Sequence, residues 1–110
     1  MKEQILNRIE AGTDYVLELQ KGLTAIPAIS PDSGGEGEYD KAAWLERQLK
    51  KLPFDEIRRF DAPDKRAKHG VRPNLVARYK GRGSGKTLWI MSHLDIVPPG
   101  EMSLWKSDPY

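Results

Sequence analysis

Two residues of this chain have the types and spacing of a reaction centre: His93 and Asp95, within Trp89-Ile-Met-Ser-His-Leu-Asp-Ile-Val-Pro-Pro-Gly100. On an extended backbone, side chains two positions apart leave the same side of the chain, so imidazole and carboxylate can meet. Such a pair has a definite use at a metal. One ring nitrogen binds the ion while the other donates its N–H to the carboxylate, which fixes the ring and raises its basicity. The competing reading is structural, a histidine and an aspartate capping the end of a strand, and a bare His-x-Asp leaves both open. With no cysteine in the chain, a thiolate site, a cysteine nucleophile and a disulfide framework are excluded. Any metal must then be held by histidine and carboxylates, and His69 and His93 are the two histidines present.

The elements that must position this pair can be read from periodicity. The apolar run Leu88-Trp-Ile-Met91 predicts a strand over Thr87–Ser92, suited to burial on both faces. It would deliver His93 and then Asp95 into a loop stiffened by Pro98 and Pro99, beyond the carboxyl end of a strand, where ligands collect in open α/β sheets. Two further strands are predicted, over Glu56–Phe60 and Asn74–Tyr79. Upstream, Ile5, Ile9, Val16, Leu19 and Leu23 follow the spacing of one helical face and predict a helix over Glu3–Leu23, stopped by Gly22, Pro27 and Pro31. A turn-rich loop through Ser30–Gly37 leads to a second helix, Tyr39 to Lys51, on Ala42, Leu45, Leu49 and Leu52. Lys50 and Lys51 suit the negative end of its dipole, and Pro53 ends it. Asp61–Pro73 and Gly81–Lys86 read as solvated connectors, the latter a hairpin connection, and His69 as a surface histidine. The order helix, helix, strand, strand, strand is α/β or α+β.

Other chemistries fit less well. Gly85-Lys86-Thr87 suggests a phosphate-binding loop, but its pattern needs a glycine at position 80, which is Lys80, and a helix where a strand is predicted. Arg58, Arg59, Lys65, Arg66, Lys68 and Arg72 form a basic stretch that could serve a non-catalytic module binding an anionic partner. Asp61 and Asp64 interrupt it, and no aromatic residue from Asp61 to Arg72 can stack on a base, so a solvated loop is the better reading and no nucleic-acid partner is expected. The 110 residues carry 18 Lys+Arg against 16 Asp+Glu, a net +2, which gives no single-sign field to gather a polyanion or a membrane. Charges at Lys2, Glu3, Arg8, Glu10, Asp14 and Glu18 break any signal-peptide or membrane-spanning run, so no membrane partner and a cytoplasmic location are expected. The length suits one domain at most. The chain closes on Trp105-Lys-Ser-Asp-Pro-Tyr110, aromatic residues in a loop-like setting, which suggests a fragment.

Taken together, Ser92-His93-Leu94-Asp95-Ile96-Val97-Pro98, then Trp105 and Asp108-Pro109-Tyr110, closely resemble the first metal motif of metallopeptidase family twenty. That family includes aminoacylases, acetylornithine deacetylases, succinyl-diaminopimelate desuccinylases, dipeptidases and carboxypeptidases. Ile26-Pro27-Ala28-Ile29-Ser30, the glycine-bearing loop, and Pro73-Asn74-Leu75-Val76-Ala77 extend the likeness along the chain. Ser92 departs from it, standing where glycine is usual, a change that leaves the metal reading intact.

The resemblance implies an α/β fold with a mixed sheet flanked by helices. Residues 1–110 would be the incomplete N-terminal portion of a zinc-exopeptidase-like catalytic domain, with the dimerisation domain absent. It implies that His93 ligates one of two divalent ions, zinc or cobalt, that Asp95 orients His93 at the active site, and that Trp105, Pro109 and Tyr110 are structural. The implied full-length protein is a homodimeric metallohydrolase in which water activated by two metals attacks an amide bond of an N-acyl amino acid or short peptide. Deacylase and peptidase versions stay open, with a desuccinylase- or deacetylase-like role favoured on overall likeness. One histidine cannot complete a zinc site, so the 110 residues alone are expected to be inactive.

Overall fold

The computed structural model describes residues 1–110. Its elements are α1 (Lys2–Ala11), α2 (Thr13–Thr24), α3 (Tyr39–Leu49), β1 (Glu56–Pro63) and β2 (Val71–Arg78), with short 3-10 turns at Pro31–Ser33, Lys68–Gly70 and Met102–Leu104. The single helix expected over Glu3–Leu23 is two helices. Gly12 leaves the helical basin at φ −91°, ψ 4°, and its N–H donates back to the Ile9 carbonyl at 3.0 Å. Thr13 Oγ1 donates to the Glu10 carbonyl at 2.8 Å, and Val16 N donating to Gly12 O at 3.0 Å begins α2. Glycine is the residue that a helix interior holds most weakly, so the break falls there. Gly22, expected to end the helix, instead lies within α2. A Cβ there would sit 2.6 Å from Trp44 Cη2, so its bare backbone is what lets α3 lay its indole against α2.

The α3 helix matches its predicted start and ends two residues early, with Lys50 as cap. It packs on β2 and buries Ala42 completely. The β1 and β2 strands form an antiparallel hairpin in register from Glu56↔Arg78 to Pro63↔Val71. The expected connector Asp61–Pro73 is therefore only Asp64–Gly70, because its first and last three residues join the ladder. The turn is closed by Asp64, whose N–H donates to Gly70 O at 2.9 Å and whose carboxylate accepts the Arg66 N–H at 3.0 Å, while His69 and Gly70 take left-handed conformations at φ 58° and 72°.

The third strand is not formed. Thr87–Ser92 has no ladder partner, and Leu88, Trp89, Ile90 and Met91 are all exposed. Strand formation needs a neighbour to take the backbone N–H and C=O groups, and neither edge of the hairpin supplies one. Gly81–Lys86 is accordingly not a hairpin turn. The one backbone tie of the downstream segment to the body is Ile96 N–H donating to Ala28 O at 2.9 Å, within a single parallel bridge between Ile29 and Ile96. The chain is thus an α/β fragment of three helices and a two-stranded antiparallel sheet, and that bridge is the only parallel pairing in it. Six residues are buried: Ala28, Ala42, Ala67, Pro73, Glu38 and Lys41. No helix is long and apolar enough to cross a membrane.

Candidate metal centre

The loop that carries His93 and Asp95 is seated on the segment after α2. Ala28, fully buried, accepts from Ile96, and the neighbouring Ile29 carbonyl accepts the Gly37 N–H at 2.9 Å. Gly35 lies so close beneath Ile29 that a Cβ would overlap its carbonyl oxygen and stand 2.6 Å from its carbonyl carbon. The glycine loop between α2 and α3 thus supports the strip of backbone to which the motif segment is fastened.

Within that segment the two side chains meet, as the i, i+2 spacing predicts. His93 Nδ1 stands 2.9 Å from the main-chain oxygen of Asp95 and 3.2 Å from its Oδ1. A carbonyl oxygen and an ionised carboxylate can only accept, so the contact is a hydrogen bond in the tautomer that carries its proton on Nδ1. The Nε2 lone pair is then left for an electrophile, on a ring whose side chain is 83% exposed.

The second carboxylate oxygen of Asp95 faces cations. Arg72 Nη2 lies 4.0 Å from Oδ2, and the same guanidinium forks onto Glu38, with Nη2 2.9 Å and Nε 3.1 Å from Oε1. Glu38 is the residue just before α3 and is 8% exposed; Lys41, three residues on, is 6% exposed. Hydrogen bonding to Glu38 raises the pKa of Arg72, with the Asp95 charge adding to it, so Arg72 is a fixed cation. Burial pushes Lys41 below the usual lysine value, and the Asp95 charge acts against that shift.

As a metal site the arrangement is partial. No group of three or more histidine, cysteine or acidic side chains comes together in a geometry that could hold an ion. The residues present fit one histidine's share of a site that needs three or four protein donors. His69 packs its ring on Tyr39, with centroids 4.3 Å apart, and no hydrogen bond or ion pair joins it to His93. Trp105 Nε1 donates to Pro99 O at 2.9 Å, and Tyr110 N donates to Asp108 Oδ1 at 3.0 Å, both ties local to the segment after the motif.

The basic stretch is largely neutralised within the fold. Arg59 pairs with Asp61 at 2.7 Å, Arg66 with Asp32 at 2.6 Å and Asp64 at 3.0 Å, Lys68 with Asp40 at 2.6 Å, and Arg58 with Glu56 at 2.5 Å. Cations already matched by carboxylates make a poor anion-binding surface. Clefts of about 230 Å³ beside Arg58, Arg78 and Lys80, and about 170 Å³ beside Glu36, Asp40 and Lys68, include neither His93 nor Asp95. Glu38 and Lys41 escaped the sequence reading, although Lys41 stands four residues before Leu45 and so on the apolar stripe of α3, a signal that it would be buried.

Comparison with known proteins finds relatives of much greater length. An uncharacterized metallohydrolase of Methanococcus maripaludis is 36% identical over 104 aligned residues, covering 88% of this chain and 24% of its own length. One from Methanocaldococcus jannaschii is 35% identical over the same shares. A succinyl-diaminopimelate desuccinylase of Cereibacter sphaeroides is 35% identical over 92 residues, covering 84% of this chain and 21% of its own. No family model and no solved structure matches the chain. A histidine held by an aspartate thus lies in an α/β fragment that is similar to metallohydrolases and desuccinylases. The chain belongs to metallopeptidase family twenty, and spans about a quarter of the length of the curated relatives it matches.

Proposed function

We propose that residues 1–110 form the N-terminal portion of the catalytic domain of an amidohydrolase, with His93 as ligand to one of two divalent ions and Asp95 as the residue that orients it. The observation carrying this reading is His93 Nδ1 set against Asp95, at 2.9 Å from its main-chain oxygen and 3.2 Å from Oδ1, on an exposed ring, in a chain 35% identical to a desuccinylase over 92 residues. Asp95 holds the proton on Nδ1 and, through its negative charge, raises the basicity of Nε2. When bound, the divalent ions, zinc or cobalt, supply Lewis acidity for attack of water on an amide carbonyl. The substrate is a small N-acyl amino acid or short peptide, and the desuccinylase relatives favour an N-acyl group over a dipeptide. The whole protein acts as a cytoplasmic homodimer, through a dimerisation domain outside these residues. On this reading the 110 residues alone do not hydrolyse the substrate, because one histidine cannot complete a zinc site.

The test is to read the coding frame on both sides of these residues, express all of it, and assay N-succinyl, N-acetyl and dipeptide substrates with zinc or cobalt. Hydrolysis by the whole frame, lost with His93→Ala and absent from residues 1–110, is the expected result. Hydrolysis by residues 1–110 alone, or a whole-frame protein indifferent to His93→Ala, contradicts the proposal.

A further inference from the structure

Six residues are buried in this chain, and two of them, Glu38 and Lys41, are charged. The apolar part of that core is three alanines and a proline. Burying charge is costly unless each group is paired and hydrogen-bonded, and a pair of this kind often contributes nothing net to stability. Its presence beside the motif loop therefore calls for a use other than holding the fold together.

The geometry supplies one. Glu38 takes both Nε and Nη2 of Arg72, a forked attachment that fixes the plane of the guanidinium as well as its position. The Arg72 Nη2 so fixed stands 4.0 Å from Asp95 Oδ2, an ion-pair distance to the carboxylate oxygen other than the one nearest His93. Asp95 Oδ1 is the atom facing His93 Nδ1 at 3.2 Å. Lys41, which makes no hydrogen bond, adds a second positive charge within the field of the same carboxylate. The residue that caps α3, one from β2 and two from the motif loop thus form one line, Glu38–Arg72–Asp95–His93, in which each group limits the freedom of the next.

We propose that Glu38 and Arg72 brace the Asp95 carboxylate and through it fix His93 as the Nδ1–H tautomer, which makes Arg72 a positioning residue for the proposed metal ligand. This rests on the reading of His93 given above, and extends it to two residues that touch neither the ring nor its ion. Without the brace the carboxylate rotates away from Nδ1, and the ring keeps only its contact with the Asp95 main-chain oxygen at 2.9 Å. The imidazole then exchanges between tautomers, one of which carries its proton on the nitrogen that the metal needs.

The tautomer can be measured in the 110-residue protein without metal, from the ¹⁵N shifts of the two ring nitrogens of His93 at about pH 8.5, roughly two units above the usual histidine pKa. His69→Gln assigns the second histidine. The test variant is the double substitution Glu38→Leu with Arg72→Met, which removes the pair without leaving either charge orphaned. The wild-type ring is expected as Nδ1–H, and the ratio of Nδ1–H to Nε2–H is expected to fall several-fold in the double variant, the effect of losing the carboxylate's attraction for the Nδ1 proton while the contact with the Asp95 main-chain oxygen remains. Retained amide shifts for β1 and β2 report that the variant is folded; if it is not, Arg72→Lys, which keeps a cation against Glu38 but lacks the fork, is expected to lower the same ratio. An unchanged ratio in a folded variant, with wild-type His93 as Nδ1–H, overturns the brace alone. A wild-type ring protonated on Nε2 overturns both the brace and the reading of His93 on which it rests.

Discussion

Gly35 sits under the strip of backbone that holds the motif loop, and Gly35→Ala tests that support. An added Cβ would meet backbone, which cannot rotate away: it would overlap the Ile29 oxygen and stand 2.6 Å from the Ile29 carbonyl carbon, against the ~3.5 Å of ordinary carbon contact. The two strips must part by about 1 Å. That strains two hydrogen bonds, Gly37 N to Ile29 O at 2.9 Å and Gly35 N to Ser30 O at 3.1 Å. Each contributes about 1 kcal/mol, and overpacking adds about 1–3 kcal/mol. Alanine returns up to ~1 kcal/mol by restricting the unfolded chain, leaving a net loss of about 3 kcal/mol. With a urea dependence of about 2 kcal/mol per molar, the unfolding midpoint should fall by roughly 1.5 M. Because Ile29 bridges to Ile96, the Ile96 amide should also lose protection from hydrogen exchange before the β1–β2 ladder does. Circular dichroism in urea and amide exchange followed by NMR give both quantities. A variant unfolding at the wild-type urea concentration, with Ile96 protected as before, would refute the argument that Gly35 supports the motif loop.

Gly22→Ala should lose about 1 kcal/mol although alanine favours helix by about that amount, since its Cβ would lie 2.6 Å and 2.9 Å from Trp44 ring atoms; in a Trp44→Leu background the same change should stabilise, as urea midpoints will show. Lys41→Met should raise stability modestly at pH 7 by removing an ammonium that partial burial disfavours. Since burial lowers the folded pKa of Lys41 below 10.5, the wild type gains stability as pH rises from that lowered value to 10.5, so the advantage of the variant should shrink across that alkaline window. Asp64→Asn should be less stable than wild type at pH 7. Hydrogen bonds from Arg66 hold the Asp64 carboxyl below its usual value, so its contribution is present above about pH 4 and is lost as pH falls through the depressed value, where the two melting curves should converge.

What the sequence reveals and what it hides divide along range of interaction. The α3 helix was legible because Ala42, Leu45 and Leu49 repeat at helical spacing over a short stretch. So was the His93–Asp95 contact, which needs only an extended backbone. The hairpin strands were legible but too short, since Asp61–Pro73 read as a connector, whereas Pro63 ends the ladder and Pro73 pairs with Asp61 inside it, on strands that are both sheet edges, where a missing N–H is tolerated. Gly12 and Gly22 look alike to helix propensity; one breaks the helix and the other admits Trp44, a difference set by α3 and invisible locally. Leu88–Met91 carries a genuine strand pattern, but pairing is a property of two strands, and no second one meets it. Glu38 and Arg72 are 34 residues apart, and their pairing near Asp95 emerges only when α3 packs on β2.

The central claim is that His93 is a metal ligand through Nε2, held by Asp95. The most direct measurement is the zinc content, by mass spectrometry after dialysis, of the protein encoded by the entire reading frame around these residues, with His93 intact and as His93→Ala. About two zinc ions per chain in the wild type and about one in the variant are predicted. Equal zinc in both proteins, or none in either, would contradict the account.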